Sequence, residues 1–221
     1  LGLVALAALL VLSLAWPRFV ASFRYLPVVR ALDQFYANNE IPSDRLTVLI
    51  AFAAQALEYE EHQRVLYGLS ELHYLRGLDV KTPAGERRAA DRSAEAEARK
   101  SLELAPAQPA AWLHLAMIRW ILRDEPSMIV EPWKMSVFTG RTHSALYTRR
   151  VEMGLAFRGY LDDEGLAMLR DQVRLAWKTR PGALAKVLSR RDADLRVSRY
   201  LLQGSEPEML NEMETWLERL R

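Results

Sequence analysis

Cysteine is absent from the 221 residues. Its absence excludes disulfides, thiolate metal sites and a cysteine nucleophile, and it leaves the redox compartment open. Net charge is scarce as well: 30 Lys and Arg stand against 28 Asp and Glu, a balance of +2. Such a chain has no global field to draw nucleic acid. It also lacks a glycine-rich phosphate loop, a dinucleotide fingerprint and a Gly-x-Ser-x-Gly elbow. β-branched residues are few and scattered, while Ala, Leu, Glu and Arg dominate. That composition favours helix almost everywhere, so the expected fold class is all-α.

The most telling absence is local. Leu1 to Trp16, LGLVALAALLVLSLAW, contains no charged residue. The run makes about 24 Å of helix at 1.5 Å per residue, short of a hydrocarbon core of about 30 Å. Apolar character resumes at Phe19 to Phe23, flanked by Arg18 and Arg24, whose side chains snorkel to headgroups. A buried core helix would carry more polar positions than the single Ser13. Ser13-Leu14-Ala15 also fits a signal-peptide cleavage triplet. The reading adopted is an uncleaved transmembrane anchor over residues 1–24, followed by a helical body over 25–221. Because the first residue is Leu, the natural N-terminus is expected upstream.

The body divides at its breakers. A short amphipathic helix is expected from Tyr25 to Asn38, with Leu26, Val29, Leu32, Phe35 and Tyr36 on one face. Ser43 or Asp44 caps the next helix. Arg45 to Leu78 forms two antiparallel helices or one long one, with Glu58 to Arg64 as the joint. Gly77 to Arg92 is the clearest loop. Helices then follow over about Ala89–Ala105, Ala110–Arg123, Ser127–Val137 (interrupted by Pro132), Thr142–Tyr160, Asp163–Thr179, Gly182–Leu188, Asp192–Gln203 and Pro207–Arg221. Short connections between them predict stacked helical hairpins.

One stretch carries a family pattern. Ala94 and Ala98 precede Ser101-Leu102-Glu103-Leu104-Ala105-Pro106, and Trp112, Leu115 and Ala116 follow in order. This resembles a degenerate tetratricopeptide repeat: the second helix and terminal Pro of one unit, then the first helix of the next. The match covers about one unit of 34 residues. It departs where Arg119 stands in place of the usual aromatic and where Pro132 enters the expected second helix. The resemblance implies a protein–protein scaffold that takes a peptide or helix in a concave face.

Candidate chemistry is thin. Glu58, Glu61, His62 and His73 put carboxylates and imidazoles on one expected face, a pattern that can bind metal. Their spacing lacks the repeated Glu-x-x-His of di-iron bundles, so a solvated polar face is preferred. His114 and His143 are isolated. Asp162-Asp163-Glu164 precedes a helix, where acids suit the positive end of the dipole. Arg141, Arg149, Arg150, Arg190, Arg191, Arg196 and Arg199 are a basic region suited to lipid phosphate or an acidic partner, with a solvated face favoured. Trp120, Trp133, Phe138, Tyr147, Phe157 and Trp177 are expected in the core or at a docking surface.

The expected function is a non-catalytic accessory or scaffold subunit of a bacterial membrane complex. An Arg-rich, Lys-poor composition suits a GC-rich bacterial genome. The expected partners are other subunits and the lipid bilayer, with no nucleic acid and no cofactor. Ala5, Ala8 and Ala15 lie near one face of the anchor and are expected to pack against other membrane helices. Arg18, Arg24 and Arg30 argue for a cytoplasmic body by the positive-inside rule. The segment's likeness to a signal anchor tips the expectation to a single-pass inner-membrane protein with its body in the periplasm. Two alternatives stand beside this: a membrane-tethered metal- or cofactor-binding enzyme subunit, and a periplasmic helical binding domain.

Overall fold

The computed structural model describes residues 2–37, 40–190, 192–202 and 207–218. It is all-α, with no strand among the described residues. The chain divides into two compact units, Leu1–Pro106 and Ala107–Arg221.

The first unit begins with α1 (Gly2–Tyr36), one unbroken helix. It continues with α2 (Ser43–Leu57), α3 (Gln63–Leu78) and α4 (Ala84–Leu104). Where the sequence suggests a fresh helix near Pro27, α1 runs through both Pro17 and Pro27. Its C-terminal half is held by packing. Tyr25, Val28, Ala31 and Leu32 are buried against Leu46, Leu49 and Ala53 of α2 and Val65, Leu69 and Leu72 of α3. Burial of this kind contributes about 1.5–3 kcal/mol per large apolar side chain. The buried face differs from the expected one by a position. Leu26 and Tyr36 are exposed, while Tyr25 points inward and donates its hydroxyl to the Arg64 carbonyl at 3.0 Å.

The stretch from Arg45 to Leu78 is two helices, and the polar Glu58–His62 segment is the turn between them. His62 caps α3, its Nδ1 accepting from the Arg64 amide at 3.2 Å. Ser43 and Asp44 do not cap α2: Pro42 holds that position, and no side chain bonds there. The expected long loop shrinks to residues 79–83, because α4 starts at Ala84. Arg87 and Arg88 are therefore helical, and the Arg87 amide bonds the Pro83 carbonyl at 2.9 Å. The α3–α4 pair is tight. Ala94 and Ala98 are fully buried, Ser70 Oγ donates to the Ala94 carbonyl at 2.6 Å, and Ser101 Oγ donates to the Gln63 carbonyl at 2.9 Å.

The second unit comprises α5 (Pro109–Leu122), α6 (Pro126–Thr139), α7 (Tyr147–Ala156), α8 (Asp163–Thr179), α9 (Pro181–Leu188), α10 (Asp192–Leu202) and α11 (Pro207–Glu218). Two 3₁₀ turns, Ser144–Leu146 and Arg158–Tyr160, flank α7 where one longer helix is expected. α5 pairs with α6, and α7 with α8. Pro132 does not interrupt α6. A proline removes the amide that would bond the carbonyl four residues earlier. Here that carbonyl belongs to Met128, and Arg119 Nη1 donates to it at 3.1 Å. The residue that breaks the repeat pattern at 119 thus serves the proline that breaks it at 132.

At Gly68 the Tyr25 side chain of α1 lies against the backbone of α3. A Cβ there would overlap the Tyr25 hydroxyl and lie 2.9 Å from its Cζ. Gly68→Ala gains helix propensity of about 1 kcal/mol yet is expected to destabilise by about 1–3 kcal/mol through overpacking. Denaturant unfolding in mild detergent measures this. The Tyr25→Phe, Gly68→Ala double variant, which removes the obstructing oxygen, should lose less than the two single losses added together.

Candidate functional surfaces

The N-terminal half of α1 has no core to enter. Leu9, Leu10, Val11, Leu12, Leu14, Trp16, Phe19 and Phe23 are each 62–69% exposed. Contiguous apolar exposure on this scale marks an interaction surface or a membrane segment. Ser13, the one polar side chain in the run, donates to the Leu10 carbonyl at 2.8 Å, so its hydroxyl needs no water. Among the described residues, one helix is long and apolar enough to cross a membrane, within Leu9–Tyr36. Of the expected packing residues, Ala15 is exposed; the side chains of Ala5 and Ala8 lie outside the described residues.

On the N-terminal side of the first unit's core, polar contacts tie α1 to the end of α2 and the α2–α3 turn. Arg18 Nε pairs with Glu60 at 2.9 Å. Arg24 Nη1 donates to Gln55 Oε1 at 2.7 Å, and its guanidinium lies 5.0 Å from the centre of the Tyr59 ring. On α1, Trp16, Phe19 and Phe23 form a column, with ring centres 6.0 and 6.4 Å apart.

Glu58, Glu61, His62 and His73 do not converge. No group of three or more metal-binding side chains occurs among the described residues. Glu58, Glu61 and His62 are exposed, and the His62 ring is engaged in capping. His73 is half-buried, and its Nδ1 finds no partner. Burial first, then the Arg76 charge, lowers its pKa. One buried carboxylate in this unit, Glu71, is not singled out by the sequence. It is buried on α3 and accepts hydrogen bonds from the Tyr36 and Tyr67 hydroxyls. Desolvation raises its pKa against the pull of those two donors.

The basic region of the second unit is largely paired. Arg141 forks onto Asp171 at 2.7 and 2.9 Å, Arg190 and Arg149 reach Glu152, and Arg199 reaches Glu214 at 2.7 Å. Arg196 is exposed, and Arg191 lies outside the described residues. Arg150 is different: it is fully buried. Its Nε donates to Ser136 Oγ at 3.0 Å. Its Nη1 donates to the Gly140 carbonyl at 2.9 Å and Gln172 Oε1 at 3.1 Å, and its Nη2 donates to the Ser136 carbonyl. It thereby satisfies carbonyls at the end of α6 that the helix leaves open. Desolvation lowers its pKa to about 10. Charge alone does not reveal such a role in sequence.

Asp162 caps α8, accepting from the Gly165 amide at 2.8 Å. Asp162 and Glu164 also converge on Lys134 Nζ at 2.8 and 2.9 Å, a partner absent from local spacing. Trp133, Tyr147, Phe157 and Trp177 are core, whereas Phe138 is 77% exposed. Trp120 is half-buried and lies beside Tyr160 at 6.5 Å between ring centres, in a cavity of about 600 Å³ that Arg123 and Asp124 also line. A second groove, of about 820 Å³, is lined by Trp177 and Trp216, whose rings pack edge-to-face at 6.2 Å between centres, and by Lys178, Glu208 and Glu212. His114 is buried; His143 is exposed before the first 3₁₀ turn.

The repeat-like stretch spans the division of the chain. Ala94, Ala98 and Pro106 belong to the first unit, and Trp112, Leu115 and Ala116 to the second. Leu115 and Ala116 are buried in α5, Trp112 is half-buried, and Pro106 is exposed just beyond α4. No family model and no curated protein matches the chain.

Two variants test the buried polar groups. For Glu71, the folded-state pKa lies above the unfolded one, so the fold holds a proton that the unfolded chain releases. Stability therefore falls as pH rises from about 4.3 toward the raised value, and is lower above it. Glu71→Gln should remove that loss: its thermal midpoint relative to wild type rises across this window and is flat below it. Arg150→Lys should destabilise by about 2–4 kcal/mol, because an ammonium cannot serve the four separated acceptors at once. Denaturant titration reads it.

Proposed function

We infer that this protein is a non-catalytic accessory subunit of a bacterial membrane complex, held by α1 and presenting tetratricopeptide-like helical hairpins to its partners. The observation that carries the reading is the apolar half of α1, which stays exposed while the other half of the same helix forms core. From Gly2 to Phe23 the helix is about 33 Å long, matching a hydrocarbon core of about 30 Å. Two aromatic-lined grooves in the second unit, one beside Trp120 and one lined by Trp177 and Trp216, suit the apolar anchors of a partner segment. The bacterial inner membrane, with the body on its periplasmic side, is the location that goes with this reading.

The anchor packs against other membrane helices through Ala5, Ala8 and Ala15 as well as tethering the body, since small side chains let helix backbones approach and packing drives association in lipid. Replacing these three by Leu keeps the segment apolar and fills that face. The expected result is a protein that still resists alkaline extraction from membranes but no longer co-purifies with its partners in mild detergent. Co-purification at wild-type yield would reduce the anchor to a tether, and release by alkaline extraction of the unaltered chain would remove the membrane assignment.

A further inference from the structure

We propose that the α2–α3 turn, residues 58–62, is a membrane-contact surface that seats the first unit on phospholipid headgroups beside the point where α1 leaves the bilayer. The proposal rests on the reading of α1 as a membrane helix and adds what that helix does to the bundle. Arg18 and Arg24 lie six residues apart on α1, a rise of about 9 Å. Both are tied to the turn region, Arg18 to Glu60 and Arg24 to Gln55 and Tyr59. The turn is thus fixed at the level of the Trp16–Phe19–Phe23 column. Aromatic rings and snorkelling arginines are the residues that settle at the membrane–water boundary.

With the boundary crossing α1 between Trp16 and Phe23, the turn has no room to stand off in bulk water. Helix α1 is continuous through this region, so no hinge separates the bundle from the membrane segment. Tyr59 offers a ring that is 41% exposed. Around it stand the exposed carboxylates of Glu58 and Glu61 and the 77%-exposed Arg18 side chain. Mixed charge of this kind complements a zwitterionic headgroup: guanidinium for the phosphate, carboxylates for the amine. A purely anionic surface would meet three carboxylates in four residues, Glu58, Glu60 and Glu61.

The cysteine-free chain permits single-cysteine labelling without background. The full chain carrying Glu58→Cys, Leu10→Cys or Val80→Cys is labelled with an environment-sensitive fluorophore and reconstituted into phosphatidylcholine vesicles containing shallow or deep spin-labelled lipid. Val80 is 84% exposed in the α3–α4 loop, among residues lining a cavity formed with the α1–α2 connection, away from the α2–α3 turn. The expected result is deep-lipid quenching at Leu10, shallow-lipid quenching at Glu58 at least twofold above that at Val80, and little at Val80. Glu61→Cys repeats the measurement within the same turn, and the helical circular-dichroism signal verifies each variant. Quenching at Leu10 with Glu58 and Glu61 no more quenched than Val80 overturns the proposal, keeps α1 in the membrane and leaves the turn to a protein partner. No quenching at Leu10 overturns both.

Discussion

The first unit depends on one physical constraint: α1 is a single helix whose N-terminal half is apolar and exposed while its C-terminal half is buried in a protein core. From Tyr25 to Leu32 it presents a face that enters a protein core. From Leu9 to Phe23 it presents large apolar side chains that the described residues leave 62–69% exposed. An anchor joined by a flexible linker leaves its body free to turn. An anchor that is also a core element does not, because reorienting it would pull Val28, Ala31 and Leu32 out of their contacts. The ties from Arg18 and Arg24 to the α2–α3 turn add polar bonds at the crossover.

The second unit follows a different rule. At two costly places on α6, the internal proline and the C-terminal end, an arginine from another helix satisfies backbone carbonyls left open. Arg119 serves the Met128 carbonyl freed by Pro132, and Arg150 gathers the Ser136 and Gly140 carbonyls at the end of α6. Trp133 closes the arrangement, donating its indole N–H to the Arg150 carbonyl at 2.9 Å. Buried groups of this kind are costly when one partner is removed, so these arginines belong to the architecture rather than to a docking surface. Phe138 and the two aromatic-lined grooves are exposed apolar features of this unit.

Much of this was legible beforehand. The all-α class, the helix beginnings at Pro109, Asp163 and Pro207, and the apolar N-terminal run follow from composition and punctuation. Apolar spacing over Arg45 to Leu78 puts Leu46, Leu49, Ile50, Ala53, Ala54, Leu57, Leu66, Leu69, Leu72 and Leu75 on one stripe; Leu46, Leu49, Ala53, Leu66, Leu69 and Leu72 are buried, Ile50, Leu57 and Leu75 are half-buried, and Ala54 is exposed. The failures have physical causes. Pro27 and Pro132 look like breaks because propensity counts the lost hydrogen bond and cannot count the packing or the arginine that compensates. The α1 face came out one position off because Tyr25, which looks amphipathic, buries its ring and satisfies its hydroxyl at Arg64. Gly77 to Arg92 looks like a loop because it holds Pro83 and Gly85 followed by a basic run, yet Pro83 stands just before the first turn of α4, whose buried face is lined by Ala90, Asp91, Ala94, Ala98, Ser101 and Leu102. Glu71 is not singled out in the sequence, and Arg150 stands there only as one of a basic set: Tyr67 lies one turn before Glu71 on α3, but Tyr36 of α1, and the Ser136, Gly140 and Gln172 partners of Arg150, are brought in only by the tertiary fold.

The claim that membrane segment and core strut are one rigid helix is tested most directly by hydrogen exchange of the full chain in phosphatidylcholine bilayers. Peptides covering residues 9–32 should exchange as one slow block, with protection running without interruption past Pro17 and Pro27. A fast-exchanging stretch between residues 17 and 27, flanked by protected amides on both sides, would reveal a hinge and contradict the account.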